Sequence, residues 1–284
     1  MGDYDGSTAR ISMHVSSYLS IIGVYLLIST LRFPKLKIFL SVLGIIFAFT
    51  FGMYEMLGIS KEFINRRETF NIEIIRHLTL SLSSLLFAII PSLYLGYQST
   101  KHAKLREWIM GIINGFQVAP TLSLLALMMI PLSYLSQEFP FLRSIGIKGI
   151  GFFPSFIILT LYALLPITSN TYTGFKQIDE SILDSAKALG LSRLQILFKV
   201  SFPLALPVIL SGIRTALTQN IGNTILAGLV GGGGLGSIIF LGLSQSASDL
   251  ILLGSIPVVF MALFSDIVLE TVESWISIKI GILN

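Results

Sequence analysis

Seven stretches of about 20 mostly apolar residues leave this chain few folds to choose from. They run roughly Met13 to Leu31, Ile38 to Ile59, Leu78 to Tyr97, Trp108 to Leu132, Phe152 to Tyr172, Leu204 to Val230 and Leu250 to Trp275. Each is long enough to cross a bilayer as a helix. In lipid the backbone must satisfy its own hydrogen bonds, and a helix does so within one segment. Charged residues make up 12% of the 284, against about 25% in soluble domains. The expected fold class is an all-α polytopic membrane protein. There is no cysteine, which excludes a disulfide framework and thiolate chemistry. The net charge of +4 needs no nucleic acid to explain it, because cytoplasmic loops collect Lys and Arg. The first ten residues, MGDYDGSTAR, lack a basic n-region. The apolar run after them is too long for a signal peptide and reads as an uncleaved span.

Lys and Arg also set the expected orientation. With the N-terminus outside, the inner loops hold Arg32, Lys35, Lys37, Lys101, Lys104, Arg106, Lys176, Lys187, Arg193, Lys199 and Lys279. The outer segments hold Arg10, Lys61, Arg66, Arg67, Arg76, Arg143 and Lys148, a smaller share. The loop with Lys61 and Arg76 also carries Glu62, Glu68 and Glu73. Seven spans then put the C-terminus inside.

Asp179 to Pro207 is the longest charged window in the C-terminal two thirds. Ile182, Ala186, Leu189 and Leu197 recur at helical spacing, with Lys187, Arg193 and Lys199 between them. Gly190 suits a left-handed helix end. Ser192 suits the N-cap of a second helix, Arg193 to Val200. Pro203 and Pro207 bracket the return to the membrane. By pattern alone this is an amphipathic segment at the membrane surface.

Asp184, Ser185, Ala186, Gly190, Val200, Phe202 and Pro203 fall at the spacing of the EAA loop: EAA, three residues, Gly, nine residues, Ile, one residue, Leu-Pro. Asp184 stands for Glu, Ser185 for the first Ala and Phe202 for Leu. The window thus resembles the cytoplasmic coupling loop of permease subunits in binding-protein-dependent ABC importers. From His77 onward, segments such as YALLPITSNTYTGF and GLVGGGGLG are similar to permeases for glycine betaine, choline and related osmoprotectants, neighbours of the methionine-type permeases. The resemblance implies a type I ABC importer permease fold with a five-helix core, here with two additional N-terminal spans. It divides the chain into accessory helices (1–70), a permease domain (71–275) with its coupling loop (176–203), and a cytoplasmic tail (276–284).

The resemblance also implies partners: a cytoplasmic ABC ATPase dimer docked on the loop, an extracytoplasmic solute-binding protein, and a second permease chain, identical or paralogous. The chain would lie in the inner membrane of a prokaryote and pass a small zwitterion or quaternary amine inward. No G-x-x-x-x-G-K-[ST] occurs in the sequence, so no catalytic residue is assigned and ATP and Mg belong to the partner ATPase. A stand-alone secondary transporter or channel is the alternative. It would need intramembrane ionisable relays and inverted repeats. Arg214 and Asp266 are the clear deep charges, and no internal repeat is evident.

Gly231, Gly233 and Gly236 satisfy G-x-G-x-x-G. They follow a membrane helix rather than a strand, so the nucleotide reading fails. Glycines in series sustain a helix poorly, and irregular backbone at membrane depth needs protein or a water-filled cavity around it. The run is expected to bend beside a gate; close helix packing through small residues is the other reading. Thr215, Gln219 and Asn223 lie at i, i+4 and i+8, with Asn220 and Thr224 alongside. This stripe is expected to face the bundle or the dimer axis, lining the path or bonding between helices. Ser169, Asn170, Thr171 and Thr173 are expected to cap the fifth span. His14, His77 and His102 are scattered, so no metal site is expected. Arg214 lies ~15 Å into the sixth span and Asp266 ~13 Å from the inner end of the seventh, at 1.5 Å per residue. The depth match pairs them; snorkelling of Arg214 or a bond to Asp184 or Glu180 are the alternatives.

Overall fold

The computed structural model describes residues 58–281. The expected span Met13 to Leu31, nearly all of Ile38 to Ile59, the basic turn Arg32 to Lys37 and the end of the tail lie outside the described residues. Every element among the described residues is helical. The order is α1 (Gly58–Asn65), α2 (Arg67–Lys101), α3 (Ala103–Val118), α4 (Thr121–Glu138), α5 (Pro140–Ser144), α6 (Phe152–Lys176), α7 (Glu180–Ala188) and α8 (Arg193–Ile196). A π-helical turn, Leu197–Ser201, leads into α9 (Phe202–Ala227), then a 3-10 turn, Gly228–Val230, α10 (Leu235–Ser244) and α11 (Ser248–Ile280).

Four segments are long and apolar enough to cross a membrane: α2, α6, the run Arg193–Val230, and α11. The pair α3 and α4 makes a fifth when taken as one broken span. Hydropathy predicts a single span from Trp108 to Leu132; instead the chain turns by 102° between Val118 and Thr121. The reason is local. Pro120 disfavours helical geometry at the residue before it, and Ala119 is extended at φ −67°, ψ 137°. The Ala119 carbonyl left over at the break accepts from the Tyr162 hydroxyl of α6. The apolar run continues unbroken across the turn, so hydropathy alone does not mark it.

The core is a stack of four helices. α6 packs along both α2 and α9, and α11 lies against α9, with α10 wedged between α11 and the ends of α9 and α2. Small residues set the close crossings, as is usual for helices in lipid. A Cβ on Gly96 of α2 would fall 2.5 Å from Thr171 Cβ of α6, and one on Gly212 of α9 would fall 2.7 Å from the Pro166 carbonyl oxygen of α6. Ala88, Ala163, Ile167, Ala216, Leu235 and Leu250 fill the space between these contacts and are fully buried. α2 and α9 are also pinned by a buried hydrogen bond, Asn220 Nδ2 to Ser84 Oγ at 2.9 Å. Such bonds contribute about 0.6 kcal/mol in membrane proteins.

The polar cluster near the end of α6 does not cap it. The helix continues to Lys176. Thr171 Oγ1 donates to the Ile167 carbonyl at 2.7 Å and Asn170 Nδ2 to the Pro166 carbonyl at 2.8 Å, so both satisfy themselves within the helix. Such bonding to the preceding turn lets polar side chains sit mid-helix.

The bundle has two distinct ends. One, the loop end, carries Lys101, the segment 176–201 and Lys279. The other, the glycine end, carries Arg67, Gly231–Gly234 and Ser248. At the loop end Lys101 lies over the Tyr97 ring (4.3 Å), Arg106 over Tyr172 (5.5 Å) and Lys279 over Trp275 (5.0 Å). Aromatic and basic side chains gather in this way at a membrane–water interface.

Candidate functional site

The segment between α6 and α9 folds into a compact hook. Asp179 caps α7 by accepting the Ser181 amide at 2.8 Å. That bond holds the Asp179 carboxyl below the usual carboxylate range. α7 ends as its sequence dictates. Leu189 closes the last turn, and Gly190 takes φ +76°. The Gly190 amide donates to the Lys187 carbonyl (2.9 Å) and the Leu191 amide to the Ala186 carbonyl (3.3 Å). This pair of bonds is a Schellman motif. A Cβ on Gly190 would meet nothing within 4 Å, so what the position demands is the left-handed backbone. Ser192 then starts α8 with a capping box: it accepts from the Gln195 amide, and the Gln195 side chain accepts from the Ser192 amide. That box satisfies two free amides reciprocally.

The EAA-spaced residues divide by exposure. Ala186 is buried beneath the hook. Val200 is half-buried in the π-helical turn and Pro203 sits in the first turn of α9. Asp184 and Ser185 face solvent. Asp184 pairs with Lys187 at 2.8 Å, but both side chains are largely exposed. Such a pair contributes little to stability. Leu189 (81% exposed), Leu194 (68%) and Phe198 (66%) are the most exposed of the large apolar side chains on the hook. Large apolar groups left in the open on a segment rich in charge call for cover by lipid or by another protein. Sequence spacing singles out Leu189 as part of a helical stripe but passes over Leu194 and Phe198. Their exposure follows from the direction of α8 after the turn, which spacing does not reveal.

At the other end, Gly231, Gly233 and Gly234 all take positive φ (74°, 79° and 86°). The 3-10 turn reverses there and sends α10 back against α9 and α11. Gly236 lies beyond the bend, inside α10, where a Cβ would collide with the Ile225 backbone of α9. Two side chains that the sequence does not single out meet this turn. Glu73 and His77 of α2 accept the Gly234 and Leu235 amides. They stand at i and i+4, a spacing that puts them on one face, but their partner lies far along the chain.

The polar stripe of α9 splits. Asn220 and Thr224 are fully buried. Thr215 and Gln219 are exposed and Asn223 half-buried. Gln219 Oε1 accepts from Gln117 Nε2 of α3 at 3.2 Å. The stripe therefore faces away from its own core, on the side of α3.

Arg214 meets more than its expected partner. Its Nε lies 3.6 Å from Asp266 Oδ1 and 3.8 Å from Glu273 Oε2, and its Nη1 lies 3.4 Å from Glu270 Oε2. The three carboxylates follow α11 at i, i+4 and i+7, one helical face. These acids of α11, rather than Asp184 or Glu180 of the loop, are its ion-pair partners among the described residues.

Three comparisons bear on this architecture. The profile of the family described as "Binding-protein-dependent transport system inner membrane component" matches residues 84–278. The chain is 37% identical over 206 residues to a glycine betaine/carnitine/choline transport system permease protein, OpuCD, of Bacillus subtilis (strain 168), covering 72% of this chain and 83% of that one. It is 33% identical over 202 residues to the osmoprotectant import permease protein OsmY of Salmonella typhimurium, covering 70% and 77%. Among solved structures it resembles an inward-facing conformation of the MetNI methionine ABC transporter, with a TM-score of 0.63, 22% identity, and coverage of 75% of this chain and 98% of that one. That last likeness is one of fold. The profile match across most of the chain, with the identity to these permeases, places this protein in the family of binding-protein-dependent transport system inner membrane components, as a permease of the ABC importer type.

Proposed function

We propose that this chain is the membrane pathway of an ATP-driven importer for a small zwitterionic or quaternary-amine solute. The observation that carries the reading is the hook between α6 and α9. Its backbone is fixed by a Schellman turn and a capping box, while Leu189, Leu194 and Phe198 stand exposed on it. A fixed frame with outward apolar groups suits docking onto another protein. The docking partner in this reading is a cytoplasmic ABC ATPase dimer, which holds ATP and Mg and moves the hook when it closes. The Lys and Arg residues gathered at the loop end support a cytoplasmic placement of that end. The solute arrives from an extracytoplasmic binding protein. The names of the relatives support betaine, choline or carnitine as its chemical class.

Two permease chains assemble per complex, with the exposed stripe Thr215, Gln219 and Asn223 turned toward the shared path. The outward side of the α9 stripe supports this arrangement. The Gly231–Gly236 segment flanks the gate at the glycine end.

The test is hydrogen–deuterium exchange on the permease reconstituted with its cognate ABC ATPase. Slower exchange across residues 180–200 on ATPase addition, lost when Leu189, Leu194 and Phe198 are all changed to Ser, is expected. Unchanged exchange there in a complex that does form would overturn the docking assignment.

A further inference from the structure

The four-glycine run poses a problem that its own residues do not solve. α10 starts at Leu235, and its N-cap position is Gly234. A helix leaves its first amides without intrahelical acceptors, and Ser, Thr, Asp or Asn at the N-cap normally accepts one. Gly234 has no side chain to do so. α10 is ten residues long and packed into the bundle, so its bare amides are away from water, where an unmet amide is costly.

Acceptors for the N-cap amide, Gly234, and the first helical amide, Leu235, come from α2. Glu73 Oε2 accepts the Gly234 amide at 2.5 Å, and His77 Nδ1 accepts the Leu235 amide at 3.3 Å. Glu73 is 8% exposed and His77 is fully buried. The other face of each group is also occupied. Glu73 Oε1 accepts from Arg76 Nη1 at 3.1 Å. His77 Nε2 lies 2.9 Å from the Ile221 carbonyl oxygen of α9. A carbonyl oxygen only accepts and a backbone amide only donates. The ring is therefore neutral, with its proton on Nε2. A second proton, on Nδ1, would face the Leu235 N–H. The carboxylate also meets the positive end of the α10 dipole.

We propose that Glu73 and His77 are positioning residues that cap α10 in trans and clasp three elements, α2, the end of α9 and the glycine turn, into one moving body. Glu73 and His77 reach the turn from α2, and His77 reaches α9 in the same reach. The turn supplies the geometry: Gly233 and Gly234 at positive φ turn the chain so that the Gly234 and Leu235 amides face α2. A Cβ on Gly233 would also crowd the clasp, lying 2.8 Å from Arg76 Cδ and 3.0 Å from Glu73 Oε2, so that these side chains would have to shift. Gly233 and Gly234 are thus matched to the clasp, and these two of the four consecutive glycines have a reason beyond flexibility. The part played in transport rests on the permease reading above; the clasp itself does not.

The experiment has two parts that fail independently. First, nitrogen-15 NMR of the full chain in lipid, with His14 and His102 replaced by Gln so that His77 alone reports, should give a neutral ring protonated on Nε2 and bare on Nδ1. A ring protonated on Nδ1 would overturn the clasp without any capping variant needing to fold. Second, exchange at Gly234 and Leu235 should rise at least about tenfold in Glu73→Ala and in His77→Leu, the size expected for losing a bond to a buried or charged acceptor. Glu73→Gln, which keeps an acceptor oxygen, should restore most of the protection. Exchange across 180–200 should stay as in the wild type. Wild-type exchange at both amides in Glu73→Ala and His77→Leu would overturn the capping. In the assembled importer, Glu73→Ala should lower uptake per ATP hydrolysed, with Glu73→Gln intermediate. Faster exchange at the turn with uptake per ATP unchanged would overturn the moving-body role while leaving the permease reading intact.

Discussion

Gly190 offers the sharpest test of the hook. Its φ of +76° lies in the left-handed region, and a Cβ added there would have no atom within 4 Å. A substitution therefore meets no clash inside this chain, and its cost is backbone strain alone. For a β-branched residue that strain is about 1–3 kcal/mol. Asn visits the left-handed region readily and costs less. If the ATPase binds only the hooked form, the strain is charged to docking, and affinity falls by about 5- to 150-fold for Gly190→Val. Gly190→Asn should stay close to wild type. The assay is titration of the ATPase onto permease in nanodiscs, with ATP-driven uptake in proteoliposomes beside it. Membrane insertion should be normal in both variants. Wild-type affinity and uptake in Gly190→Val would refute the reasoning. Equal damage from Val and Asn would refute it differently, by showing that the partner packs against this position.

Arg214 faces three carboxylates, so its partners are unequal to it in number. Asp266→Asn should cost little thermal stability, because Glu270 and Glu273 still reach the guanidinium; Arg214→Gln should cost clearly more, because it leaves three acids on one face of α11. Differential scanning fluorimetry in lipid decides it, and equal losses would point to a simple two-residue pair. Cysteines at Gln219 and Asn223 have no native thiol background; they should react with a membrane-impermeant reagent at rates that change with nucleotide. Protection of both in every state would favour packing between helices.

How much of this is legible in the sequence depends on the range of each interaction. The hook is readable because its signals are local: Gly190 for the left-handed end, Ser192 for the second cap, and fixed spacing around Asp184. Span positions are readable because hydropathy integrates over about 20 residues. The break at Ala119–Pro120 is not, since a single proline inside an apolar run is often tolerated within a membrane helix. Thr171 and Asn170 mislead because back-bonding to the preceding turn lets a mid-helix polar side chain look like a cap. Glu73 and His77 are unreadable for a deeper reason. Their partners Gly234 and Leu235 are remote in sequence, and what is recognised is backbone, which leaves no pattern of residue types. Arg214 and Asp266 are found by matching depth, but Glu270 and Glu273 follow only once the face of α11 turned toward α9 is known.

The central claim is that ATP hydrolysis on a partner, delivered through the hook, drives solute through this chain. The most direct measurement is uptake of radiolabelled glycine betaine, choline and carnitine into proteoliposomes holding the permease with its cognate ATPase and binding protein. The account predicts uptake of at least one of these only when ATP is on the hook side and the binding protein on the glycine side, and none from proton or sodium gradients alone. Uptake by the permease by itself, driven by an ion gradient and indifferent to ATP, would contradict it.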